Sequence, residues 1–133
     1  MKPENAKQSA LSASFNFMPV CFVLILALGP VDSLAASAEE EIRYLIGSVG
    51  RDGCAFIRND RRWSRRSARD HLMSKWQLNE HLVEDAKDFI EKIASQSATS
   101  GQPYLIRCRD QQEQAARDWF SQLLSKYRAG NGS

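Results

Sequence analysis

Residues 58–70, "RNDRRWSRRSARD", contain six arginines and one tryptophan. Guanidinium groups bind phosphate and carboxylate oxygens through paired, charge-assisted hydrogen bonds, so a run of this density could hold an anionic ligand. The alternative interpretation is a solvated helix start on a tolerant surface. The side chains that could contact an anion are Arg58, Asn59, Arg61, Arg62, Arg65, Arg66 and Arg69.

Local folding does not require these arginines. Ser64 is a good N-cap, which places Arg65 and Arg66 in the first turn of the next helix, where each cation opposes the helix dipole by roughly a few tenths of a kcal/mol. Arg65 and Arg69 also form a mildly repulsive pair four residues apart. We therefore predict a weak anion-binding face. Trp63 could contact the ligand, although a tryptophan at a helix entrance is also typical of a hydrophobic staple.

A second group of polar residues could perform acid–base chemistry. His71 and Lys75 are four residues apart, so a helix would place them on one face, and Arg58 and Tyr104 could complete a polar site. In the structural alternative, His71 borders the core and Lys75 extends its aliphatic stem along it. The sequence has no nucleophile-elbow, phosphate-loop or zinc-protease motif, and His71 and His81 lack further ligands nearby, so we predict no metal and no cofactor.

The beginning of the chain, residues 1–38, is predicted to be a secretory signal peptide. A nine-residue apolar run, "VCFVLILAL", follows Lys2 and Lys7 and precedes small residues. The run is far shorter than the roughly 20 residues that a membrane-spanning helix needs. Cleavage after Ala35 or Ala38 satisfies the small-x-small rule, and we prefer Ala38. We expect a periplasmic or secreted protein with no transmembrane segment after cleavage.

The charge balance narrows the class of partner. Lys and Arg number 18 and Asp and Glu 16, which gives a formal net charge of +2. The predicted signal peptide removes two charges of each sign, so the mature chain shows no global polyanion signature. Nucleic acid is an improbable partner for an exported protein. An anionic envelope component, such as a lipid headgroup, acidic glycan or cell-wall phosphate, or an envelope protein is the expected partner.

Hydrophobic periodicity in residues 39–133 predicts one small α+β domain with the element order α-β-α-α-β-α. The helical stripes cover residues 42–49, 68–76, 86–97 and 116–127, and the strand candidates are "CAFIR" and "YLIRC". The stretch "NDRR" is predicted as a turn, and Asp110 with Glu113 as a capping box for the last helix. We expect a disordered tail over residues 129–133.

The positions of two cysteines agree with this predicted order of elements. Cys54 and Cys108 stand at the ends of the two predicted strands, and an antiparallel pairing that places them opposite each other also places Phe56 opposite Ile106. Paired cysteines in an exported chain tend to form disulfides, although two separate thiols are the alternative. A two-stranded antiparallel ribbon is marginal alone, so we predict that the helices pack on it.

The stretches "FIRND", "ARDHLMSKW" and "AKDFIEKIASQSATSGQPYLIRC" resemble a bacterial family of small exported proteins of unknown function that includes YfeK. The resemblance covers most of residues 42–108 and implies export and a compact domain, but no activity. The chain departs from the family pattern where Asp60 replaces a turn glycine. It departs again at Arg65 and Arg66, where relatives carry acidic residues.

The leading hypothesis is a non-enzymatic binding or structural module of the bacterial envelope with a weak anion-binding basic face. One alternative is a small envelope hydrolase or transferase with a polar site near Arg58, Asn59, His71 and Lys75. Another is an inhibitor that inserts the loop "TSGQPY" into an envelope enzyme. An enzyme requires a concave site where Arg58, His71, Lys75 and Tyr104 converge, whereas a binding module can present its arginines on a convex face.

Overall fold

The computed structural model describes residues 33–131, and their side chains from residue 38 onward. The elements are α1 (Ser33–Ser48), β1 (Ala55–Arg58), β2 (Arg61–Trp63), α2 (Arg65–Gln77), a 3-10 turn (Glu80–Leu82), α3 (Ala86–Asp88) with a π-helical continuation (Phe89–Ile93), β3 (Leu105–Arg107), β4 (Gln114–Ala115) and α4 (Ala116–Asn131). The apolar run of the predicted signal peptide lies outside the described residues. The candidate cleavage positions Ala35 and Ala38 fall within α1.

The sheet has four antiparallel strands in the order β2-β1-β3-β4, so the predicted two-stranded ribbon was wrong in its strand number. The predicted register between β1 and β3 is confirmed, with Phe56 opposite Ile106. Residues 61–63 pair with β1 instead of forming part of a turn, and the two-residue strand β4 was not predicted. Both missed strands are too short, and β2 too charged, for an alternating apolar pattern to appear.

The connection between β1 and β2 is a two-residue hairpin loop. Asn59 and Asp60 have φ angles of 50° and 59°, both in the left-handed region. A type I′ turn requires this conformation at both loop positions, and Asn-Gly is its preferred sequence. Asp60 therefore adopts a backbone conformation that a glycine would adopt at lower energy.

The helices pack on one face of the sheet. Helix α2 contacts β1, and α4 contacts β3 and β4, while α1 packs against the other three helices. Together they enclose one core, whose largest fully buried hydrophobic side chains are Tyr104, Phe56, Phe89, Phe120, Ile42, Leu45, Leu72, Ile93, Ile106 and Val49. Within residues 33–131, no helix has the length and apolar character needed to cross a membrane.

The helix ends in the structure agree only in part with those predicted from the sequence. Asp85 caps α3, because its carboxylate accepts hydrogen bonds from the amides of Lys87 and Asp88. The expected capping box before α4 was wrong, since β4 intervenes and Glu113 instead forms an ion pair with Arg107 at 2.7 Å. Helix α4 continues to Asn131, so residues 129–131 are helical where a disordered tail was expected.

Two long-range links close the domain. Cys54 and Cys108 form the expected disulfide, 54 residues apart in sequence, and the chain-entropy model assigns about 4 kcal/mol to a loop of this length. Near the chain ends, Arg128 holds Glu41 through two hydrogen bonds of 2.5 and 2.7 Å. This contact with the buried carboxylate raises the pKa of Arg128. The pair fastens α4 to α1.

The hairpin loop gives the first testable prediction. Replacing Asp60 by glycine should raise the free energy of unfolding by about 0.5–1 kcal/mol, because glycine adopts positive φ without a Cβ penalty. Asp60→Ala is the matched control: it removes the same carboxylate but keeps the Cβ atom, so it should give no stabilisation. Urea denaturation measures both. Equal stabilisation by the two variants would assign the effect to charge and contradict the turn argument.

Candidate functional site

The start of α2 is built by Ser64, as the sequence predicted. Its hydroxyl accepts a hydrogen bond from the amide of Ser67 at 3.1 Å and lies 3.0 Å from that residue's own hydroxyl. Trp63, immediately before the cap, is half-buried against the core, and its ring centroid lies 5.4 Å from that of His71. The tryptophan thus anchors the helix entrance and remains partly accessible beside the arginines.

Arg58, at the end of β1, lies between the hairpin and a distant loop. Its guanidinium is hydrogen-bonded to the hydroxyls of Ser97 at 3.3 Å and Thr99 at 3.4 Å, and it lies 5.1 Å from the centre of the Trp63 ring. The Nε of Arg58 is buried and has no hydrogen-bond partner among the described residues. An unsatisfied buried donor of this kind is costly to the fold.

The hydroxyl of Tyr104 is the centre of a polar network beside Arg58. It lies 2.9 Å from His71 Nε2, and Lys75 Nζ donates to it at 3.3 Å and to the carbonyl of Gln96 at 2.6 Å. An ammonium can only donate, so Tyr104 accepts from Lys75 and can donate its own hydroxyl hydrogen to His71. The lowered pKa of His71 favours the neutral imidazole that accepts it. We therefore assign a neutral imidazole with Nε2 unprotonated. Arg58, His71, Lys75 and Tyr104 thus lie together, an arrangement that the sequence left open.

Burial and neighbouring cations favour the neutral forms of this network. The pKa of His71 is lowered by burial first, and then by Arg58 and Lys75. The pKa of Lys75 is lowered by burial and by Arg58. Burial raises the pKa of Tyr104, while Arg58 opposes the shift. Within residues 33–131, no carboxylate lies within ion-pair distance of Arg58, His71 or Lys75, so the local excess of positive charge is not neutralised.

An open cavity of about 540 Å³ adjoins Arg58 between the hairpin and the first turn of α2. Its lining side chains carry cationic, hydroxyl, amide and indole groups and no carboxylate: Arg58, Asn59, Arg61, Arg62, Trp63, Ser64 and Ser67. Arg58 and Arg61 are directly opposite each other across the two strands and therefore project from the same face. We call this cavity the hairpin cavity.

Three arginines of the run take other positions. Arg69 is directed away from the cavity, because it donates to the carbonyls of Val49 at 3.1 Å and of Gly47 at the end of α1. The side chain satisfies helix-end carbonyls and is excluded from the anion-binding face that we expected. Arg65 packs its stem on Gly50, and Arg66 is exposed in the first turn without lining the hairpin cavity.

The hydroxyls on the far side of Arg58 were missed as site residues. Neither Ser97 nor Ser100 was predicted as a site residue, yet Ser97 is fully buried, and Ser100 donates to the side-chain oxygen of Asn59 at 2.6 Å. The signal that could have found them is the strand register. Since Arg58 faces Tyr104 in that register, the loop before Tyr104 must lie beside the hairpin tip.

Residues 36–128 match the family of unknown function DUF5329, a range that runs from α1 into α4 and includes every residue of the hairpin cavity. The chain belongs to the DUF5329 family. Neither a curated protein nor a solved structure matches it. The DUF5329 match agrees with the unknown function that the sequence resemblance implied. In the described part of this DUF5329 domain, no cluster of three or more His, Cys, Asp or Glu side chains could hold a metal ion.

The acid–base state of His71 gives the second prediction. Because the folded state lowers the pKa of His71 below its usual 6.5, the unfolded chain binds more protons between the two pKa values. The contribution of His71 to stability is therefore complete above about pH 6.5 and is lost as the pH falls below it. His71→Gln should show a smaller fall in the free energy of unfolding between about pH 7.5 and about pH 5 than the native protein.

His81 supplies the matched control, since it is exposed in the 3-10 turn. His81→Gln makes the same substitution outside the polar network and serves as the reference for His71→Gln. Denaturant titrations at both pH values give the comparison. If His71→Gln and the native protein lose the same stability on acidification, the neutral imidazole that we assign is wrong.

Proposed function

We propose that this DUF5329 domain is an exported, non-enzymatic binding module of the bacterial envelope that holds an anionic ligand in the hairpin cavity. The observation that carries the proposal is the cavity wall itself. Arg58, Arg61 and Arg62 line it together with serine hydroxyls, and its lining contains no carboxylate. Guanidinium and hydroxyl groups in this arrangement are suited to phosphate, sulfate or carboxylate oxygens.

A bound anion would relieve the two local electrostatic costs at this position. The excess positive charge of Arg58 and Lys75 would be offset. The first turn of α2 carries cations where the helix dipole favours an anion. An anion in the hairpin cavity would lie between that turn and Arg58, so a single ligand would improve both interactions.

Export is supported by features at a distance from the cavity. The apolar run preceded by lysines and followed by small residues is typical of a signal peptide, and the disulfide between Cys54 and Cys108 suits an oxidising compartment. In such a compartment the available anions are lipid headgroups, acidic glycans, cell-wall phosphates and the acidic surfaces of envelope proteins. Nucleic acid is not among the partners that we propose.

A small envelope hydrolase or transferase is the second candidate, because Arg58, His71, Lys75 and Tyr104 do converge. Their arrangement favours binding over catalysis. Tyr104 is fully buried and its hydroxyl is already engaged by two neighbours, while Lys75 is held by the carbonyl of Gln96. A substrate could reach the edge of this network at Arg58 but not its centre. A catalytic role would predict substrate turnover that His71→Gln abolishes while ligand binding persists.

The third prediction tests anion binding. The protein should co-sediment with cell-wall sacculi or with anionic lipid vesicles at low salt, and high salt should release it, because ions screen charges over ~8 Å at physiological ionic strength. Arg58→Gln with Arg61→Gln should weaken binding by about tenfold or more, since each charge-assisted hydrogen bond contributes about 1.5–3 kcal/mol. Arg61→Gln alone, at an exposed position, gives the same direction of change without a risk to folding.

The matched control removes two charges elsewhere. Arg107 and Arg117 are exposed and each pairs with a surface glutamate, so Arg107→Gln with Arg117→Gln lowers the net charge equally but leaves the cavity intact. This control should bind like the native protein. Equal losses in both double variants, or no binding at low salt, would contradict the proposed function.

The fourth prediction concerns export. Mass spectrometry of a cell-envelope fraction should find a mature protein that starts at Ala36 or Glu39, with no free thiol before reduction. A protein that keeps Met1 and resides in the soluble cytoplasm would overturn the envelope assignment.

A further inference from the structure

A second cavity, of about 250 Å³, lies next to the hairpin cavity. Its lining includes Gly50 and Arg65, which the first cavity lacks, and three residues common to both: Arg62, Trp63 and Ser64. We call it the loop cavity, because the α1–β1 loop forms its far wall. The shared residues make the two cavities neighbours along one continuous surface.

Residues of strand β2 line both cavities. Successive side chains of a strand point to opposite faces, so Arg61 and Trp63 project from one face and Arg62 from the other. Because β2 is an edge strand of the sheet, a ligand can pass around it without crossing the core. The arginine side chains thus continue from the hairpin cavity around the sheet edge into the loop cavity.

Arg65 is positioned for the loop cavity by the backbone of Gly50. A Cβ atom at Gly50 would lie 2.7 Å from the Cβ and Cγ atoms of Arg65, so the absence of a side chain lets the arginine stem lie directly on the loop. Gly50 also has a φ of 77°, which favours glycine. The contact restricts the stem of Arg65, whose side chain lines the loop cavity.

We propose that the anionic ligand is a linear acidic polysaccharide that spans both cavities. This inference rests on the proposed function and adds the ligand class. One anionic group would lie at Arg58 and Arg61 in the hairpin cavity, and a later one along the chain at Arg62 and Arg65 in the loop cavity. Two charge sites joined by one surface are suited to a repeating polyanion and are redundant for a single compact anion.

Trp63 is the residue that favours a saccharide over other linear polyanions as the ligand. The indole is the aromatic side chain common to the two cavities. A sugar ring presents C–H groups that pack on an indole and hydroxyls that reach Ser64. A polyphosphate chain has charge at every repeat and no apolar face for the tryptophan.

Calorimetric titration of the disulfide-bonded protein with galacturonate monomer, dimer, tetramer and octamer tests the proposal. The dissociation constant should fall by about tenfold or more from monomer to tetramer as the second cavity becomes occupied, and then level off. A neutral oligosaccharide of the same length should not bind. Polyphosphate of matched length should bind more weakly than the tetramer.

Two double variants and one single variant test the two cavities. Arg58→Gln with Arg61→Gln and Arg62→Gln with Arg65→Gln should each abolish the advantage of the tetramer over the monomer. Arg65→Gln alone changes a residue that lines the loop cavity and not the hairpin cavity, and it should have the same effect. Arg66→Gln with Arg107→Gln removes two charges that line neither cavity and should preserve that advantage. Far-ultraviolet circular dichroism verifies that each variant is folded.

The outcomes distinguish this inference from the proposed function. If monomer and tetramer bind equally and the Arg62 and Arg65 substitutions have no effect, the spanning ligand is wrong and a single anion site remains. If length dependence appears only with polyphosphate, the saccharide class is wrong. If no anion binds even at low salt, the proposed function itself fails.

Discussion

The pairing of β1 with β3 is the constraint on which the rest of the domain depends. It places Phe56 opposite Ile106 within the core, and the disulfide joins the strands at one end of the ladder. At the other end, the same register brings Arg58 beside the loop that precedes Tyr104. A shift of one residue would turn the core side chains to the opposite face, and it would separate Arg58 from its hydroxyl partners. Core packing and site geometry therefore depend on the same register.

This register could be predicted because two independent patterns agree on it. The apolar residues of "CAFIR" and "YLIRC" and the positions of Cys54 and Cys108 select the same alignment. The helical stripes were predictable for the same reason, since burial imposes their period. Strands β2 and β4 lack such a pattern: one is mostly arginine, and the other has two residues. Their formation depends on a neighbouring strand that is already in place.

The features of the candidate site also fall into two groups, those that the sequence predicted and those that it did not. The helical spacing of His71 and Lys75 and the cap at Ser64 were visible in the sequence, because each depends on residues within one turn of helix. The role of Arg69 was not visible, since its acceptors are carbonyls at the end of α1, 20 and 22 residues away. The contact of Arg58 with Ser97 spans 39 residues. Local patterns can indicate that a charge is present, but tertiary contacts determine whether it is available.

The long sequence separation between β1 and β3 also determines when the site can exist during folding. The hairpin of β1 and β2 is a local structure, and an isolated two-stranded hairpin is marginally stable in water. Residues 97–107 must join it across a chain closure of about fifty residues, a non-local step that is slow compared with helix formation. An emerging chain that has completed α2 therefore carries all four arginines of the two cavities without a fixed arrangement. Anion affinity in this domain would therefore be acquired only late in folding, when β3 pairs with β1. An unfolded or partly folded chain would lack it.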